Sequence, residues 1–131
     1  MMATLSEKIQ LVLADDCAFQ RRAISMLVES LPAFELIAVA EDGLSLINQL
    51  CKLQTLPGAC ILDLHMPEMD GITTANELSG RFPSIKLFGY TSTEDRQAID
   101  QFKGNGALSV FPKDQPIAML EAIEHYIRED A

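Results

Sequence analysis

Positive charge, aromatic rings and cysteine are all scarce in this chain. Its 131 residues hold 10 Lys and Arg against 19 Asp and Glu, a formal net charge of −9. Nucleic-acid binding depends on Lys and Arg neutralising phosphates, so this balance argues against direct nucleic-acid contact and favours cationic partners or a bound metal. Aromatic content is 6% with no Trp, which suits an aliphatic interior of sheet and helix. Cys17, Cys51 and Cys60 are odd in number and form no Cys-x-x-Cys pair, which argues against a disulfide framework or a zinc site and for a reducing, cytoplasmic compartment. Cys17, although beside an acid pair, reads as an ordinary loop or core thiol. The segment Met1 to Lys8 lacks the basic start and apolar stretch of a signal peptide. No run reaches membrane-spanning length, so no membrane association is expected.

Apolar residues make up 48% of the chain, enough for one ordinary domain with a proper core. Strand-length apolar runs alternate with helical patterns. The runs are Ile9 to Ala14, Phe34 to Ala40, Ala59 to Leu62, Ile85 to Tyr90 and Ala107 to Phe111. Between them, Phe19, Ala23, Met26, Leu27 and Leu31 mark a first helix. Leu44, Ile47, Leu50 and Cys51 mark a second, capped by Asp42, and Ile72, Ala75 and Leu78 a third. Thr93, with Glu94 and Asp95, reads as the cap of a fourth helix carrying Ala98, Ile99 and Phe102, which Gly104-Asn105-Gly106 stops. Pro116 opens the last helix, with Ile117, Leu120, Ile123 and Ile127 expected inward. Five βα units in series predict an α/β fold: a doubly wound, five-stranded parallel sheet with five helices, flavodoxin-like in the order 2-1-3-4-5. No linker or repeat divides residues 1–131, so a single domain is expected, with no output domain in this chain. In that strand order the binding crevice lies at the carboxyl ends of strands 1 and 3.

Those strands carry the chemistry. Asp63 closes the run Ala59-Cys60-Ile61-Leu62 and leads into Leu64-His65-Met66-Pro67-Glu68-Met69-Asp70-Gly71, which turns sharply. The first run ends likewise in Asp15-Asp16. Three acids converging on one site repel one another unless a cation or a proton holds them, and this points to a metal site. Thr91, after the fourth strand, and Lys113, after the fifth, arrive at the same edge. The set resembles the receiver domain of bacterial response regulators, over a stretch from about Ile9 to the final helix. That family has an acid pair after strand 1 and a phospho-accepting Asp after strand 3, with Pro and Gly further along the same loop. It has Ser or Thr after strand 4 and Lys after strand 5. Asp15-Asp16, Asp63, Pro67, Gly71, Thr91 and Lys113 occupy these places in order.

The resemblance implies Mg²⁺-dependent phosphoryl transfer to Asp63 from a sensor histidine kinase or a histidine phosphotransfer protein. Asp16, Asp63 and the backbone carbonyl of His65 would then ligate Mg²⁺, with Asp15 acting directly or through water. Lys113 and Thr91 would hold the phosphoryl oxygens, and the surface of helix 4, strand 5 and helix 5 would switch. The chain is expected to be a signalling phosphoacceptor rather than an enzyme, possible as a homodimer or as the receiver part of a DNA-binding transcriptional regulator. The pattern departs from the family in two places. Asp114 follows Lys113 where many receivers have Pro, and Val110 stands where strand 5 often has an aromatic. The alternative is a pseudo-receiver used only for protein contacts. A haloacid-dehalogenase-type phosphatase would need an Asp-x-Asp motif after strand 1, which Asp15-Asp16-Cys17 does not supply. A flavodoxin would set its flavin phosphate against the acid pair, which is electrostatically wrong. The imidazole of His65 and His125 are read as solvent-facing, Glu68 and Asp70 as loop-solvating, and Gly71 as placed for backbone freedom.

Overall fold

A computed structural model describes residues 7–129. Residues 1–6, most of the segment read above as lacking a signal peptide, and residues 130–131 lie outside the described residues. The elements alternate along the chain as β1 (Ile9–Ala14), α1 (Ala18–Glu29), β2 (Phe34–Ala40), α2 (Gly43–Leu50), β3 (Ala59–Asp63), α3 (Gly71–Arg81), β4 (Lys86–Thr91), α4 (Arg96–Gly104), β5 (Ala107–Pro112) and α5 (Pro116–Glu129). The strands form one parallel sheet in the order β2-β1-β3-β4-β5, the flavodoxin-like architecture expected from the βα repeat. Strands β3, β4 and β5 run one residue past the apolar runs, because parallel pairing continues through Asp63↔Tyr90 and Thr91↔Pro112. Asp63 and Thr91 are therefore the last residues of their strands. Among the described residues no helix is long and apolar enough to cross a membrane.

Alternation along each strand sends successive side chains to opposite faces and builds two cores. Val12, Ala14, Cys60 and Leu62 meet Leu46 and Leu50 of α2, Leu78 of α3 and Phe102 of α4. Leu11, Leu13, Ile61, Phe88 and Tyr90 meet Ile24 and Val28 of α1 and Met119, Leu120 and Ile123 of α5. Cys60 is core, and burial pushes its thiol well above the ordinary range, whereas Cys17 and Cys51 are exposed.

Two helices turn differently from their expected phase. In α1 the inward stripe is Ile24 and Val28, four residues apart, and this rotation leaves Phe19 76% and Met26 60% exposed, with Ala23 also outside. In α5, Met119 points inward with Leu120 and Ile123, and Ile117, about 200° around the helix from Met119, is 58% exposed. The caps also differ in part. Asp42 accepts from Ser45 N at 2.8 Å as expected. For α4 the cap is Asp95, which accepts from Gln97 N at 3.0 Å, while Thr93 only closes the preceding turn by accepting from Asp95 N. Asp70, expected merely to solvate its loop, caps α3 by accepting from Thr73 N at 2.8 Å, a contact of the kind worth about 1 kcal/mol.

Candidate functional site

Parallel strands all end at the same edge of their sheet, so β1, β3, β4 and β5 deliver their terminal residues to one place. Asp15 and Asp16 follow β1, Asp63 ends β3, Thr91 ends β4, and Lys113 follows β5. Asp15, Asp63 and Thr91 are buried and Asp16 is exposed. Carboxylate oxygens of Asp15, Asp16 and Asp63 all lie within 4.8 Å of one another. The ammonium of Lys113 reaches into this cluster, 3.0 Å from Asp15 Oδ2 and 3.3 Å from Asp63 Oδ1. Three acids and one base leave the site with an excess of negative charge.

Asp63 is subject both to its burial and to that excess. Burial first, and then the negative charge of Asp15, push its carboxyl up to about 6, although the charge and hydrogen bond of Lys113 pull the other way. Burial alone would lower Lys113, but its hydrogen bond to Asp15 and the charges of Asp63 and Asp15 raise it overall, so it stays charged. A donor set of carboxylate oxygens with no His or Cys among them suits a hard divalent cation, and Mg²⁺ above softer metals. An added cation at the cluster would cancel the charge that Lys113 leaves uncompensated.

The acid loop is held firmly. Asp15 Oδ1 accepts from Cys17 N at 2.8 Å, and its carbonyl accepts from the Arg21 guanidinium at 2.8 Å. Reading the sequence missed Arg21, because one Arg early in an amphipathic helix looks like any solvated cation. Tyr90 was missed as well, being read only as a strand residue. It is 1% exposed, and its hydroxyl donates to the Lys113 carbonyl at 2.9 Å. A buried phenol needs a partner, which was the available signal. Thr91 Oγ1 accepts from Thr93 N at 3.1 Å, and the Thr91 carbonyl accepts from Lys113 N at 3.1 Å. His65 is exposed, as expected for its imidazole, and takes no part in the acid cluster.

Gly71 is present for a reason other than the one expected. Its backbone is not in the left-handed region; in that loop it is Glu68 that carries a positive φ, of 65°. A Cβ on Gly71 would instead collide with the Asp63 carbonyl oxygen and lie 2.8 Å from Leu64 Cα. Gly71 N donates to the Leu64 carbonyl at 2.8 Å, so α3 starts directly against the backbone of the Asp63 turn. Any larger residue would displace that turn.

The family described as the response regulator receiver domain matches residues 11–124. The chain is 31% identical over 115 residues to protein-glutamate methylesterase/protein-glutamine glutaminase 5 of Geobacter metallireducens, covering 87% of this chain and 32% of that protein. It is 26% identical over 118 residues to the transcriptional regulatory protein DegU of Brevibacillus brevis, covering 89% of this chain and 49% of that protein. The chain thus spans about a third to a half of the length of these curated relatives. In fold it is similar to the signal receiver domain of the response regulator NarL from Mycobacterium tuberculosis, with a TM-score of 0.85 at 20% identity, covering 93% of this chain and 98% of that one.

Proposed function

We propose, for a chain that belongs to the response regulator receiver family, that Asp63 accepts a phosphoryl group from a phosphohistidine with Mg²⁺ bound at Asp15, Asp16 and Asp63. The single observation that carries this reading is the convergence of the three carboxylates within 4.8 Å under the ammonium of Lys113. A carboxylate oxygen of Asp63 attacks phosphorus, the P–N bond breaks, and the imidazole leaves with the electron pair. Bound Mg²⁺ supplies the positive charge that lets two anions meet, and the His65 carbonyl is proposed to complete its protein ligands. Lys113 leaves Asp63 for the phosphoryl oxygens, and Thr91 exchanges its contact with Thr93 N for one of them. These movements reach α4, β5 and α5, where Val110 offers no large ring to swing, so the readout is a modest shift of loop and helix.

Direct titration tests the site. Mg²⁺ at a hundredfold excess over its Kd should stabilise the protein by about 2.7 kcal/mol, and raise its melting temperature by roughly 10 °C. Asp16→Ala should weaken that shift. Acetyl phosphate should label the wild type only when Mg²⁺ is present. A protein that binds Mg²⁺ but takes no label would be a pseudo-receiver, and one that does neither would end the proposal. Sizing the protein with and without Mg²⁺–beryllofluoride reads whether the α4-β5-α5 surface pairs two copies.

The phosphodonor is proposed to rest beside α1. Phe19 and Ile117 are exposed in the first turns of α1 and α5, two helices that share one face of the sheet and start at its active edge. Met26, seven residues beyond Phe19 and so on the same side of α1, extends this apolar surface along the helix. Phe19→Ala combined with Ile117→Ala should slow transfer from a histidine phosphotransfer protein at least tenfold, while labelling by acetyl phosphate stays unchanged. Equal slowing with both donors would contradict a docking role.

A further inference from the structure

We propose that Tyr90 is a positioning residue that sets where the Lys113 ammonium stands. This rests on the reading of Asp63 as phosphoacceptor. A lysine head sits on a flexible four-carbon stem and is poorly placed unless its backbone is fixed. Here two consecutive residues of β4 grip both ends of Lys113. The Thr91 carbonyl accepts from Lys113 N at 3.1 Å, and the Tyr90 hydroxyl donates to the Lys113 carbonyl at 2.9 Å. The first contact is backbone to backbone and any residue could supply it. The second needs a side chain that crosses from β4 to the loop after β5 and ends in a donor.

The ring contributes a second contact. Lys113 Nζ lies 5.9 Å from the Tyr90 ring centroid, within the reach of a cation–π attraction, while it also bridges Asp15 and Asp63. Tyr90 is also the residue paired in register with Asp63 across β3 and β4. The lysine clamp and the nucleophile thus share one rung of the sheet. Burial, with the charges of Asp15 and Asp114, pushes the phenol up to about 12, so it remains a donor across the working pH range.

Tyr90→Phe keeps the ring and removes the donor. Labelling by acetyl phosphate at saturating Mg²⁺ should slow about tenfold, equivalent to about 1.4 kcal/mol. Mg²⁺ affinity should be unchanged or rise, because the hydroxyl that is removed donates to the Lys113 carbonyl and not to an acid, and a looser Lys113 competes less for Asp15 and Asp63. General damage to the site would lower it. In nitrogen-detected spectra the Lys113 ammonium protons should exchange slowly with water in the wild type and quickly in the variant. An unchanged labelling rate, a fall in Mg²⁺ affinity that parallels slower labelling, or an unchanged ammonium signal would each overturn the proposal. If the variant fails to fold, the wild type carries the test, since fast exchange of its Lys113 ammonium or Tyr90 hydroxyl protons would overturn it. If the wild type takes no label, the phosphoacceptor reading fails, while the exchange measurement still decides whether the clamp exists.

Discussion

Asp63→Asn is expected to abolish labelling by acetyl phosphate and, at the same time, to make the metal-free protein more stable above neutral pH. The amide has nearly the shape of the carboxylate but cannot attack phosphorus, and Asp15 and Asp16 are proposed to hold the metal instead of the phosphoryl group. The stability gain follows from linkage. Asp63 titrates at about 6 in the folded chain against an ordinary value of 3.8, so its charged form is disfavoured by folding, by at most about 3 kcal/mol at 1.36 kcal/mol per unit. For a carboxyl raised in this way, the cost is present in full above the folded value. It is relieved as pH falls through 6 toward 4. Without Mg²⁺, the variant should therefore melt above the wild type at pH 8, and the two should converge near pH 4. Wild-type labelling should fall as pH drops below 6, with a midpoint that moves lower as Mg²⁺ rises, because the cation favours the carboxylate. Label retained on the variant at the wild-type rate would show that another residue is the acceptor.

The elements that could be read from the sequence were those with a single strong period. Five apolar runs separated by helical patterns admit little besides a parallel sheet, and the runs Ile9–Ala14 and Phe34–Ala40 match β1 and β2 end to end. The polar ends of β3 and β4 were harder, since Asp63 and Thr91 look like loop residues until pairing with the next strand is seen. Helix phase failed where apolar residues lie on more than one face. Phe19 and Met26 compete with Ile24 and Val28 for the inward side of α1, and only the sheet beneath decides between them. For the site, the five residues with distinctive chemistry at strand ends could be placed on one edge. Arg21, Tyr90 and the steric role of Gly71 could not, because each acts on a backbone carbonyl. A carbonyl carries no mark in the sequence of what approaches it.

Lys113→Met is expected to be the most destabilising change at this edge that leaves the core intact. Lys113 is the cation in contact with both Asp15, 0% exposed, and Asp63, 4% exposed. Removing one partner of a buried ion pair leaves uncompensated charge, at a cost of about 3–5 kcal/mol. The loss should depend on pH in a defined direction. Lys113 holds the Asp63 carboxyl down, so without it Asp63 titrates still higher and takes up a proton more readily. The variant should lie furthest below the wild type at pH 8 and recover part of the gap as pH falls toward 6, because Asp63 takes up its proton in the variant before it does so in the wild type. Mg²⁺ should rescue it, and by more than it stabilises the wild type, because no ammonium then competes for Asp15 and Asp63. Rescue of stability should not restore chemistry. The transferring phosphoryl oxygens would lack their fixed positive partner, and labelling should stay about a hundredfold slower even at saturating Mg²⁺. Melting curves at pH 8 and pH 5, with and without Mg²⁺, together with labelling rates, decide the matter. A variant as stable as the wild type at pH 8 without Mg²⁺ would mean that the acids are neutralised by something other than Lys113. A variant that is rescued and labels at the wild-type rate would confine Lys113 to holding the site together.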